Sequence, residues 1–186
     1  MDRNNNVYLL VGPRAAGKTE YAEKLIARDP SLNLISRDKI LIKTTGSEHN
    51  DPYSENILFV VELINRLLRF KLSRYKNQNI LLEYFLETSS ERKNMTEELR
   101  EYGASKVVAL YFTTPVELVN KWFWQKPGIA KISEMKSTQG RDLVYYSEDS
   151  PERDYCLFHN HAQGIDSDGF DQVIRINPLE PLIHLD

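Results

Sequence analysis

A single cysteine, Cys156, stands among 186 residues, so the chain cannot close a disulfide on itself. That scarcity fits a reducing compartment, and the expectation is a cytoplasmic protein, in a host cytoplasm if the source is viral. No apolar run approaches the length of a membrane span. The N-terminus lacks the charged-then-apolar pattern of a secretory leader. Positive charge is not in excess: 24 Lys and Arg stand against 27 Asp and Glu, a formal net charge of −3. A nucleic acid would therefore need a local basic patch rather than the surface as a whole. No internal repeat, low-complexity tract or clear linker interrupts the chain, so it reads as one domain over residues 1–186. What is present, 41% hydrophobic and 27% charged residues, suits a folded domain with a proper core.

Apolar runs and helical spacings alternate. Val7-Tyr8-Leu9-Leu10-Val11 reads as a buried strand, and Thr19 to Arg28 as a helix with Tyr21, Ala22, Leu25 and Ile26 on one face, ended by Pro30. Asn33-Leu34-Ile35 is a short strand. Tyr53 to Tyr75 has helical spacing, started by Asp51-Pro52. Ile80 to Tyr84 is a strand, Ser89 to Tyr102 a helix stopped by Gly103, Val107 to Phe112 a strand, and Pro115 to Trp124 a helix. Gln172 to Ile176 is a last strand. Such alternation predicts an α/β fold in three layers, a parallel central sheet of about five strands flanked by helices. From Gln125 to Asp168 the periodicity fades, and a lid is expected at about 125–150.

Between the first strand and the first helix lies Gly12-Pro13-Arg14-Ala15-Ala16-Gly17-Lys18-Thr19, a phosphate-binding (Walker A) loop. Gly12 and Gly17 permit the tight wrap that turns backbone N–H groups toward phosphate oxygens. The helix that opens next favours negative charge at its N-terminus. Lys18 is placed to reach the β- and γ-phosphates and Thr19 to bind Mg²⁺, so ATP and Mg²⁺ are the expected cofactors.

Ser36-Arg37-Asp38 follows the second strand, where strand ends gather at the ligand crevice. Asp38 there could accept or orient the proton of an attacking hydroxyl, and Arg37 could pair with an acceptor phosphate; a solvated helix cap is the plain alternative. Glu83 closes the third strand in the manner of the acid that holds Mg²⁺ or its water.

These features, with Arg92 in the Ser89–Tyr102 helix, Lys106 to Thr114 followed by Pro115-Val116-Glu117-Leu118, and Gly169-Phe170-Asp171-Gln172 leading into the last strand, resemble the polynucleotide-kinase-like group of P-loop kinases, the phage-type nucleic-acid kinases. The resemblance spans nearly the whole chain. It implies a P-loop NTPase fold, in-line phosphoryl transfer from Mg·ATP, and Asp38 as the general base. It implies a nucleic-acid acceptor, either a 5′-OH end or a hydroxymethylated base in DNA. The chain departs from the family pattern at Leu41, where an acceptor-binding Arg often stands.

Cations for the γ-phosphate are sought in the lid, with Lys126 and Arg141 leading over Lys121, Lys131 and Lys136. Arg66, Arg69, Lys71, Arg74 and Lys76 crowd the end of the long helix and are read as a solvated face, with a nucleic-acid backbone as the alternative. Trp122, Phe123 and Trp124 are read as packing, His159-Asn160-His161 as a surface loop, and Asp166, Asp168 and Asp171 as a turn. Rival functions are a kinase of a nucleoside, nucleotide or sugar, a toxin acting on a cell-wall sugar nucleotide, and a non-catalytic nucleotide switch. A switch would have no use for Asp38 as a base.

Overall fold

The computed structural model describes residues 4–46, 55–84, 86–137 and 143–185. Five strands form one parallel sheet: β1 (Asn6–Val11), β2 (Leu32–Ser36), β3 (Asn79–Glu83), β4 (Lys106–Phe112) and a last strand (Gln172–Ile176). The spatial order is β2, β3, β1, β4, last strand. The chain therefore leaves β1 for one edge, returns through β3, then crosses to the other side. A crevice opens at such a reversal, outside the carboxyl ends of the strands.

The three inner strands β1, β3 and β4 are buried on both faces, as expected when helices cover both sides, while the last strand, at the sheet edge, stays largely half-buried or exposed. In β1 the alternation divides the core in two. Val7, Leu9 and Val11 pack with Val60, Ile64, Leu68 and Leu72 of α3 (Glu55–Arg74) and Met95, Leu99 and Tyr102 of α4 (Ser89–Tyr102). Tyr8 and Leu10 pack on the other face with Tyr21, Ala22 and Leu25 of α1 (Lys18–Arg28), and with Leu182, Ile183 and Leu185 of the C-terminal segment. α2 (Arg37–Thr45) packs against α3.

Caps set several boundaries. Ser36 accepts a hydrogen bond from the Lys39 N–H and starts α2 immediately after β2. Thr88 and Glu91 form a capping box at α4, and Gly103 ends that helix at φ 111°. At the amino edge of the sheet, buried Asn5 donates from Nδ2 to the carbonyls of Leu72 at 2.9 Å and Tyr75 at 3.2 Å. That side chain fastens the C-terminus of α3 beside the edge away from the crevice.

The region expected to be a lid contains more structure than the periodicity suggested. α5 (Val116–Trp124) leads to β5 (Ile129–Lys131), which pairs in parallel with β6 (Val144–Tyr146) as a separate two-stranded sheet. A helix, α6 (Ser150–His161), follows with Pro151 in its first turn, and the last sheet strand is thus β7. His159 and His161 accordingly lie in the last turn of α6 rather than in a surface loop. The His159 Nδ1 lies 2.9 Å from the Tyr111 hydroxyl.

Candidate active site

Gly12 follows β1 where the loop passes β4: a Cβ there would stand 2.8 Å from the Cβ of Phe112. Ala15 and Gly17 adopt φ of 60° and 85°, the left-handed turns that aim successive N–H groups inward. The loop is braced from behind by buried Thr114, which donates to the Ala16 carbonyl at 2.8 Å. Gly17 is hemmed by Trp122 and Pro178: a Cβ there would meet their atoms at 3.2 and 3.6 Å.

Lys18 Nζ donates to the carbonyls of Gly12 at 2.8 Å and Pro13 at 2.7 Å, so the ammonium folds back into the loop. Burial pushes its pKa down to about 8; Glu83 and Asp38 oppose that shift, and Lys126 and Arg37 add to it. The same field identifies the neighbours. Two acids and two cations, drawn from the ends of β2 and β3 and from the start of the lid, act on one ammonium.

Glu83 is buried at the carboxyl end of β3, in register with Ser36 of β2 and Leu10 of β1. Thr19 donates its hydroxyl to Oε1 of Glu83, and Ser36 donates to Oε2 at 2.6 Å. In the first turn of α2, Arg37 donates from Nε at 2.9 Å and Nη2 at 2.7 Å to Oδ1 of Asp38, both side chains being partly exposed. Burial raises the Tyr84 phenol and Arg37 opposes that shift, which places Tyr84 near this pair.

The residues fit a magnesium nucleotide. Thr19 and Glu83 supply a hydroxyl and a carboxylate oxygen side by side, hard ligands of the kind Mg²⁺ takes together with phosphates and water. Among the described residues no group of three or more His, Cys, Asp and Glu side chains could hold a metal. A larger cavity, about 210 Å³ between Leu25, Arg28, Leu32 and Leu185, lies at the far end of α1 and is remote from this chemistry.

Of the residues expected from sequence, Thr19 is bonded to Glu83 and Arg37 to Asp38, and the charges of Glu83, Asp38, Lys126 and Arg37 all act on Lys18. Arg141 lies outside the described residues. Lys131 sits over the Trp124 ring at 5.3 Å, and Lys121 and Lys136 are exposed. Phe123 is core, as expected. Three features had been missed. Ser36 and Thr114 brace the site. The Arg14 side chain reaches out of the loop to the Tyr146 hydroxyl at 3.2 Å and stands 3.9 Å from Asp154. Asp168, read only as a turn residue, forms a fully buried ion pair with Arg92 at 2.6 Å.

Residues 7–144 match the family described as AAA domain. No curated protein matches the sequence. Among solved structures, the fold is similar to a chain of the Pnkp1/Rnl/Hen1 RNA repair complex, with 15% identity and a TM-score of 0.63 over 88% of this chain. The chain spans about half, 47%, of that neighbour's length. A fungal RNA kinase aligns at 16% identity and TM-score 0.53, over 94% of this chain and 75% of the other. A structure from the PezAT chromosomal toxin-antitoxin system of Streptococcus pneumoniae aligns at 14% and 0.65, over 97% and 72%.

Proposed function

The chain belongs to the AAA domain family, and from that premise we propose that it is an ATP-dependent kinase transferring the γ-phosphate to a hydroxyl on nucleic acid. The acceptor is a 5′-OH end or a hydroxymethylated base in DNA. The observation that carries the reading is the pairing of two separate acids around Lys18. Glu83 is bonded to the loop threonine, while Asp38 stands apart at the next strand end with its own arginine. A nucleotide switch needs the first acid and has no use for the second.

Each side chain then has a task. The loop amides and Lys18 hold the triphosphate. Thr19 and Glu83 hold Mg²⁺, which when bound neutralises charge on the phosphates. The two hydrogen bonds from Arg37 to Asp38 fall on Oδ1, and Oδ2 is the oxygen assigned to the acceptor proton. Arg37 exchanges Asp38 for a phosphate of the acceptor. Lys126, whose charge acts on Lys18, covers the γ-phosphate from the lid, a role also expected of Arg141. Names of two fold neighbours, an RNA repair complex and an RNA kinase, support the nucleic-acid acceptor. A small-molecule acceptor is favoured by one observation: Leu41 is fully buried, so no side chain reaches the acceptor from that position.

The test is transfer from γ-labelled ATP to a panel of 5′-OH oligonucleotides, hydroxymethylated DNA, nucleosides and sugars, with Lys18→Ala and Asp38→Asn alongside. Label on an oligonucleotide, lost in both variants, is expected. Full activity in Asp38→Asn would remove the base assignment. ATP binding with no labelled acceptor would leave a switch.

A further inference from the structure

We infer that the outer face of α3 is a track for single-stranded nucleic acid, running from the α2 side of the site toward the amino edge of the sheet. As the path of the acceptor it rests on the nucleic-acid reading above; as a binding surface it stands separately.

α3 has two unlike faces. Val60, Ile64, Leu68 and Leu72 face the core. On the opposite side, Phe59, Leu63, Arg66, Phe70 and Arg74 fall at helical spacing on one stripe. That side of a globular protein's helix is ordinarily polar. Here Phe59 is 57% exposed, Leu63 38% and Phe70 53%, with Tyr75 edge-on to Phe70 at 5.7 Å and itself exposed. From Arg66 through Lys76 the helix and its end carry five cations, both ends counted, and no acid, in a chain whose net charge is −3. Arg66 is bonded to Glu62 at 2.5 Å and contributes little charge. Arg69, exposed over the Tyr102 ring at 4.9 Å, and exposed Arg74 flank Phe70 in sequence and on the helix surface. Glu98, near the Tyr102 hydroxyl, borders the stripe on the α4 side.

An exposed ring between two arginines offers a base something to stack on and its phosphates something to pair with. A second copy of this chain fits less well. Two-fold contact would set the same cationic run against itself.

Position supports the path. α2 begins in the site with Arg37 and Asp38 and packs against α3. Asn5 holds the far end of α3 at the amino edge of the sheet. Twenty residues of helix cover about 30 Å. A strand with its 5′-hydroxyl at Asp38 has that length of surface to follow.

The experiment compares the parent with Phe70→Ala and with Arg69→Gln/Arg74→Gln, all solvent-side changes. Binding of a fluorescent single-stranded dodecanucleotide, as RNA and as DNA, is measured by anisotropy across salt concentrations. In the transfer assay, KM is compared for a dodecanucleotide and a dinucleotide. Loss of one stacked base should weaken dodecanucleotide binding roughly tenfold. Loss of two phosphate contacts should flatten the log–log salt slope by about 1.4. The KM for the long acceptor should rise while kcat and the KM for the dinucleotide hold. Unchanged binding in both variants overturns the proposal, as does equal damage to the dinucleotide. Self-association of the parent that disappears in Phe70→Ala, without nucleic-acid binding, also overturns it and makes the stripe a contact between copies. Binding that responds to the variants while no acceptor is ever phosphorylated would sink the kinase reading and leave the track standing.

Discussion

Ser36 donates its hydroxyl proton to Oε2 of Glu83 at 2.6 Å, so the residue that caps α2 also orients the acid beside the phosphate loop. Thr19 takes the other oxygen. Glu83 is thus held at both ends before any metal arrives, and the fold, rather than the ligand, sets its orientation. Glu83→Gln keeps the size but removes the charge. The Mg²⁺ concentration for half-maximal transfer should rise by at least about 10-fold, since losing even an outer partner of a bound metal costs that much and Glu83 is assigned as a ligand itself. ATP binding without metal should change far less. A Mg²⁺ titration of transfer checks this, and an unchanged midpoint would remove Glu83 from the metal site.

Lys18 is a charge taken partly out of water, and its pKa of about 8 has consequences on both sides of neutrality. In the unfolded chain a lysine titrates near 10.4. Folding therefore disfavours the protonated form, a penalty fully present below about pH 8 that is relieved as pH rises toward the unfolded value. Phosphate charge reverses the preference, so triphosphate binding near pH 8 takes up a proton. Calorimetry in two buffers of different ionisation enthalpy reads that uptake. Lys18→Met should lose the uptake and nucleotide binding, and should melt higher than the parent at neutral pH. A lower Tm would mean that the two loop carbonyls need the ammonium more than it needs water.

The loop, the α/β class and most boundaries were legible because they rest on short-range signals. A strand, two glycines and an amphipathic helix in immediate succession admit few other readings. α2 was not legible as a helix: Ile40-Leu41-Ile42 is a continuous apolar run without helical period, and only Leu41 of the helix is buried. α6 is mostly polar, with Ser150, Pro151 and Phe158 buried, so its apolar signal was too sparse to register. Roles that depend on distant partners stayed hidden. Asp168 looked like a turn residue because nothing local announces that Arg92, 76 residues earlier, comes to it.

Arg14 ties the phosphate loop to the lid through Tyr146 and to α6 through Asp154. Tyr146 in turn packs edge-on against buried Phe123 at 5.2 Å. The arginine and aspartate are exposed enough that the pair should contribute at most about 1 kcal/mol to stability. Arg14→Gln and Tyr146→Phe should therefore barely move Tm. Their effect should fall on the lid instead: trypsin should cut within residues 125–146 several times faster, and saturating nucleotide should no longer protect as fully. A large Tm loss would make the contact a structural prop.

Arg92 and Asp168 present the opposite balance. Both side chains are buried, and the guanidinium also donates to the carbonyls of Glu87 at 2.5 Å and His161 at 2.7 Å. Asp168 further accepts from Ser89. One pair thus joins the β3–α4 connection, the end of α6 and the turn before β7. Asp168→Ala leaves a buried cation and should cost about 3–5 kcal/mol. Replacing both partners with apolar residues, Arg92→Met with Asp168→Leu, removes that unpaired charge but strands the two carbonyls. The double variant should recover only part of the loss, each buried carbonyl left without a partner costing about 1–3 kcal/mol. Denaturant midpoints of Arg92→Met, Asp168→Leu and the double close the cycle. Because Glu87 borders the same small cavity as Gly12 and Lys18, which are assigned to the triphosphate, the double variant should also raise the Kd for ATP. A double variant as stable as the parent, with unchanged Kd, would reduce the pair to a dispensable buried charge.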